Sequence, residues 1–201
     1  MSTQSVVITM TYAQSRLAPE RFVACLAEAR IGTTFNQYAG SQLRRERLAA
    51  YLEARAAAPL ILVGEAAGWR GARVSGIPFT SERQLSGTGP AEATATIVHR
   101  VLADLGLEEH VLLWNVVPTH PHRRGQPNSN RLPTRAEVEA GLPFLCELAR
   151  GRRAIAVGRL AHAVLGGAYI RHPSRGGGAE FRAGLIRLRV SGPPVRRFFV
   201  R

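Results

Sequence analysis

Two periodicities alternate along the chain. Residues 18–30 (APERFVACLAEAR) and 41–58 (SQLRRERLAAYLEARAAA) repeat apolar side chains at intervals of three and four, the spacing that gathers them on one helix face. Residues 60–64 (LILVG) are instead apolar without interruption and short, as in a strand buried on both faces. The same alternation continues with a helix over 90–106 (PAEATATIVHRVLADLG), a strand over 111–117 (VLLWNVV) and a helix over 134–150, opened by the capping-box pair Thr134 and Glu137. A strand over 154–158 (AIAVG), a short helix over 159–165, a strand over 168–173 (AYIRHP) and a last helix from about 179 complete the pattern. Strands separated by helices predict an α/β fold: a single domain over residues 1–201 with a central four-stranded, mostly parallel sheet flanked by helices. No repeat or linker interrupts it, and residues 1–16 are expected to be a loosely held start.

Three segments fit neither period: 64–82 (GEAAGWRGARVSGIPFTSE), 118–133 (PTHPHRRGQPNSNRLP) and 174–180 (SRGGGAE). Each begins where a strand ends, and in an open parallel sheet that is where ligands bind. Gly64 and Glu65 close the first strand, Asn115 lies near the end of the second, and His172, Pro173 and Ser174 end the fourth. A carboxylate, an amide and an imidazole are thereby expected around one crevice, with Phe79 above it.

Charge adds a partner. The formal net charge of +13 suits a polyanion such as nucleic acid. All 27 basic side chains are arginine, and Asp104 is the only aspartate. A lysine Schiff base and a paired-aspartate two-metal centre are therefore both excluded. Cys25 and Cys146 are too few for a disulfide framework, a four-cysteine zinc site or an iron–sulfur cluster, and are expected as core thiols. No apolar run approaches the ~18 residues of a membrane span, so a cytoplasmic protein without membrane contact is expected.

Singly, each candidate also has an ordinary structural reading. Glu65 suits a solvated loop acid or helix cap, Asn115 a satisfied buried turn, His172 a hydrogen-bonded structural histidine, Phe79 the core, and any one arginine a solvated surface charge. His120 and His122 have no further ligands nearby that would make a metal site. The glycines form neither a Walker loop nor a dinucleotide fingerprint.

Together, the motifs resemble the uracil-DNA glycosylase superfamily over roughly residues 60 to 185. GEAAGWRG…GIPFTSE is similar to its first motif in the GEAPG…PF form, WNVVPTHP to its base-reading asparagine strand, and HPSRGGGAEF to its HPS motif with an intercalation loop. The resemblance implies a monofunctional glycosylase acting as a monomer, without metal or cofactor, on uracil flipped out of single- or double-stranded DNA, leaving an abasic site. Gly64, Ala66 and Gly68 would form a backbone wall against the base, joined by Gly71, and Phe79 would stack on it. Asn115 would accept from uracil N3–H and donate to O4, a pattern cytosine inverts. His172 would donate to O2, where negative charge develops as the glycosidic bond breaks.

Phosphates would meet Arg123, Arg124, Arg131 and Ser174 with the amides of Gly176, Gly177 and Gly178, while Arg175 would wedge the duplex. Several branches use an aspartate or asparagine two residues after the first glycine to handle the attacking water; here that position is Ala66, leaving Glu65 as the carboxylate on offer. The tyrosine with which one branch excludes thymine corresponds to Gly68, and the motif proline is Ala67. The branch sharing GEAPG usually holds an iron–sulfur cluster on four cysteines, which this chain lacks. Two alternatives stay open: preference for another deaminated base such as hypoxanthine or xanthine, and a product-retaining or non-catalytic module that binds uracil or abasic DNA.

Overall fold

The computed structural model describes residues 17–190; the start expected to be loosely held, residues 1–16, lies outside them. Helix α1 (Pro19–Glu28) has proline in its first turn and buries Phe22, Val23 and Leu26. Helix α2 (Gln42–Ala54) is capped by Ser41, whose hydroxyl accepts from the Arg44 amide at 3.3 Å, and buries Leu48 and Leu52. Strand β1 (Leu60–Ala66) runs two residues beyond the apolar stretch. The segment after it holds two short helices, α3 (Ala72–Ser75) and α4 (Glu82–Ser86). Helix α5 (Ala93–Asp104) leads through a 3₁₀ turn (Glu108–His110) to strand β2 (Val111–Val117), every residue of which is buried.

Helix α6 (Arg135–Ala149) opens on the expected capping box of Thr134 and Glu137. Strand β3 (Arg153–Val157), helix α7 (Arg159–Leu165), strand β4 (Tyr169–Ile170) and helix α8 (Gly178–Val190) follow. β4 is much shorter than the 168–173 run suggests. It pairs only Tyr169 and Ile170 with Ala156 and Val157 of β3, and the chain then turns, the Ser174 amide donating to the His172 ring instead of to a neighbouring strand.

The four strands form one parallel sheet in the order β2-β1-β3-β4. Strand alternation divides the core between its two faces. Ile61, Val63, Leu112, Trp114 and Val116 belong to a cluster with residues of α1, α2 and α6, where Phe22 meets the rings of Trp114 and Phe144 edge-on, each at 5.6 Å. Leu62, Leu113, Ile155 and Val157 face the other way, onto Val98, Val101 and Leu102 of α5, Phe181 and Leu185 of α8, and Phe79. The chain leaves β1 for β2 on one side and returns to β3 on the other, so the carboxyl ends of β1 and β3 flank a topological switch point.

Both cysteines depart from expectation. Cys25 on α1 and Cys146 on α6 are exposed, because the apolar faces of these helices are filled by Phe22, Val23 and Leu26 and by Leu145 and Leu148. Two solvent-facing thiols on separate helices supply half of a four-thiolate set, so the residues present do not fit an iron–sulfur cluster.

Candidate active site

The switch point gathers side chains from three parts of the sequence. Gly64 pairs with Asn115 across β1 and β2. A Cβ at residue 64 would collide with the Phe79 ring and lie 2.8 Å from Asn115 Oδ1, so only glycine lets ring, amide and strand meet. Asn115 is 4% exposed, yet its side-chain amide makes no hydrogen bond among the described residues. Its polar atoms are not sealed from solvent, so the amide presents open donor and acceptor sites to whatever enters the crevice. Phe79 is buried, with its ring centroid 6.3 Å from that of His172. His172 in turn lies over Gly158 at the end of β3, its Cβ 3.4 Å from where a Cβ at residue 158 would stand.

The hydrogen bonds of His172 settle its tautomer. Its Nδ1 accepts from the Ser174 amide at 3.2 Å and lies 2.9 Å from the Ser174 hydroxyl. Burial lowers its pKa from the usual value, keeping the ring neutral. With Nδ1 accepting, the single proton sits on Nε2, which becomes a donor.

The first-motif loop is rigidly held. Ser75 Oγ donates its one proton to the Thr80 carbonyl at 2.7 Å, lies within 3.3 Å of the Gly71 and Ile77 carbonyls, and accepts from the Ile77 amide at 3.1 Å. The Tyr38 hydroxyl donates to the Gly76 carbonyl at 2.9 Å. His99 of α5 meets the Thr80 hydroxyl at 3.0 Å. This scaffold holds Phe79 at a φ of 54°, and Arg175 has a φ of 53°. Among the described residues they are the two non-glycines in the left-handed region, a conformation that costs of order 1–3 kcal/mol and clusters at functional sites.

The 118–133 loop is tied to the first motif more than it is free for DNA. His120 Nδ1 meets the Ala67 carbonyl at 2.8 Å, Asn130 Oδ1 accepts from the Trp69 amide at 3.1 Å, and Asn128 Oδ1 accepts from Arg73 at 3.0 Å. Carbonyls face both ring nitrogens of His120, which is fully buried, so this histidine is structural. Arg123 and Arg124 are exposed, as are Ser174, Arg175 and Gly176 at the other loop. The Gly177 amide is already committed to the Ser174 carbonyl at 3.1 Å, and this glycine serves close packing against the His172 carbonyl. Gly178 packs against Ile97 of α5 and opens α8.

Arg131 needs correction as a phosphate contact. Every N–H of its guanidinium has an acceptor: the His122 and Leu132 carbonyls, the Thr33 hydroxyl and both oxygens of Glu137 at 2.7 and 2.6 Å. Glu137 is 1% exposed, and the amides of Thr33 and Thr134 also donate to it. Burial alone would raise its pKa, but the Arg131 and Thr134 bonds outweigh that and hold it at about 2. Because this lies below the ordinary 4.5, the stability Glu137 contributes is complete above pH 4.5 and lost as pH falls toward 2. Arg131→Ala is expected to cost about 3 kcal/mol in urea unfolding, the penalty for stranding a buried carboxylate. The salt slope of DNA binding should not change; a reduced slope with unaltered stability would restore Arg131 to the DNA surface.

Glu65 is not brought to the crevice with the others. On β1 it has the phase of Val63, opposite to that of Gly64, whose Cβ position faces Phe79 and Asn115, and its carboxylate makes no hydrogen bond or ion pair among the described residues. It is half-buried, and burial raises its pKa. Glu92 is the carboxylate that motif reading passed over. It lies at the start of α5, on the Phe79 side of the sheet, and its oxygens fill the space that side chains at Gly68 and Gly71 would need. The one signal in the sequence was a pair of glycines without a turn to explain them.

Among solved structures, the fold is similar to that of wild-type SMUG2 from Pedobacter heparinus, with a TM-score of 0.57 at 12% identity, over 85% of this chain and 94% of that one. No curated protein sequence matches. The family model of the uracil DNA glycosylase superfamily matches residues 52–190, more than half of the chain and all of the crevice, and the protein belongs to that superfamily.

Proposed function

We propose that the protein is a monofunctional DNA glycosylase that hydrolyses the N-glycosidic bond of uracil flipped out of DNA and leaves an abasic site. The observation that carries this is the Asn115 amide, free of hydrogen-bond partners among the described residues and open to the crevice beside the Phe79 ring and the bare Gly64 backbone. A flat base entering there stacks on Phe79 and completes the amide, which accepts from N3–H and donates to O4. The Nε2–H of neutral His172 then donates to O2.

As the bond breaks, the sugar becomes oxocarbenium-like and its electron pair leaves with the base, the negative charge spreading over O2 and O4. Fixed donors at both oxygens stabilise that charge more than they stabilise the neutral substrate. Arg175, exposed and already held at positive φ beside the crevice, fits the gap left in a duplex. A second reading is excision of another deaminated base such as hypoxanthine or xanthine: Gly68 carries no tyrosine to exclude 5-substituted pyrimidines, although the Glu92 carboxylate takes up the space beside it.

A lesion panel under single-turnover conditions distinguishes these. Uracil in single strands, U:A and U:G pairs should be released fastest, with the DNA unbroken until alkali or heat is applied. Faster release of hypoxanthine or xanthine would move the assignment to the second reading, and binding without release of any base would overturn catalysis.

A further inference from the structure

We propose that Glu92 is the catalytic carboxylate that handles the attacking water, taking the place left by Ala66. The inference rests on the glycosylase reading, though not on which base is removed. Four features point to it. At the start of a helix a carboxylate ordinarily accepts from the first-turn amides, but Glu92 makes no such cap. It crosses instead to the first-motif loop, its carboxyl carbon 3.3 and 3.0 Å from where Cβ atoms at residues 68 and 71 would stand. Its carboxylate has neither a hydrogen bond nor an ion pair among the described residues. Finally, α5 packs on the same face of the sheet as Phe79, and Ile97 of that helix reaches within 3.3 Å of a Cβ at Gly178 in the second loop.

Glu92 therefore borders the crevice where the two motif loops approach each other. A base held by Phe79, Asn115 and His172 leaves its sugar trailing toward these loops. Gly68 and Gly71 admit the carboxylate against the first-motif loop, since any side chain at either position would displace it. Burial raises the pKa of Glu92, making it a better proton acceptor than a solvated carboxylate. In the step assigned to it, the water oxygen bonds to C1′ as the C1′–N bond breaks and its electron pair departs with the base. The water proton passes to the Glu92 carboxylate and then to solvent, which also supplies the proton taken up by the base anion. The negative charge of Glu92 meanwhile faces the cationic sugar. Glu65, out of phase with Gly64 on β1, has no part in this step.

The test compares single-turnover release of whichever base the wild-type protein removes best by Glu92→Gln, Glu92→Ala and Glu65→Gln. Both Glu92 variants should be slower by roughly 10²-fold, the low end for loss of a general base. Their affinity for DNA bearing a tetrahydrofuran abasic analogue should be little changed. Added formate should restore part of the rate to Glu92→Ala but not to Glu92→Gln, whose amide still fills the space. Glu92→Gln should melt no lower than wild type, because it relieves a partly buried, unpaired charge; a purely structural glutamate would give the opposite sign. Near wild-type rates for Glu92→Gln, absence of formate rescue, or an equal loss in Glu65→Gln would each overturn the proposal while leaving the glycosylase reading intact. A wild-type protein that releases no base would overturn both.

Discussion

Asn115→Asp should slow single-turnover release of uracil by roughly 10³-fold or more, while binding to an abasic-site analogue persists. The substitution preserves shape within a heavy atom, so Phe79 and Gly64 need not move. Two electrostatic terms change together. The donor to O4 is lost, and a carboxylate that is charged at neutral pH faces the oxygen on which negative charge develops. Removing a single fixed donor costs about 10²–10³ in rate, and the added repulsion places Asp above that range. Asn115→Ala separates the terms, because it removes the donor without adding charge, and should be less damaging than Asp. It should also weaken discrimination between uracil and cytosine, since the amide is the group that distinguishes their edges. An Asp variant near the wild-type rate would mean that Asn115 is a structural residue and its lack of partners incidental.

The parts of this site that were legible in the sequence are those governed by local chemistry. Uninterrupted apolar runs made β1 and β2 evident, and the rule that ligands gather at the carboxyl ends of parallel strands pointed to Gly64, Asn115 and His172 before any geometry. The structure brings these together with Phe79. What the sequence concealed was pairing between distant residues. Arg131 lies in a loop rich in arginine, and only the fold reveals that Glu137, six positions on, consumes its guanidinium. The side of the sheet taken by Glu65 follows from a period of two, but which side holds the crevice depends on where Phe79 folds back. Glu92 carries no motif of its own; its place is set by the path of α5 across the sheet and by two glycines more than twenty residues earlier. The exposure of Cys25 and Cys146 was hidden for a similar reason, since an amphipathic stripe permits several rotations and packing chooses one.

His172→Ala should lower the single-turnover rate by roughly 10²–10³, with affinity for uracil-bearing DNA nearly unchanged, because its donor matters most when charge has developed on O2. The geometry around the ring makes the expectation more specific than loss of a histidine. The Ser174 amide fixes Nδ1 as an acceptor, so Nε2–H is the donor whether or not the Ser174 hydroxyl is present. Ser174→Ala should accordingly be mild. His172→Gln, which retains an N–H near the same position, should recover part of what alanine loses. Burial holds the imidazole pKa below its ordinary 6.5, so the ring is already neutral at pH 7 and the rate should stay level as pH rises from there. Were a charged imidazolium responsible instead, the rate would fall as pH rose through that value. Equal losses of rate and affinity in His172→Ala would assign the residue to holding the second loop against Gly158, and the O2 donor would then have to be sought among the backbone amides of that loop.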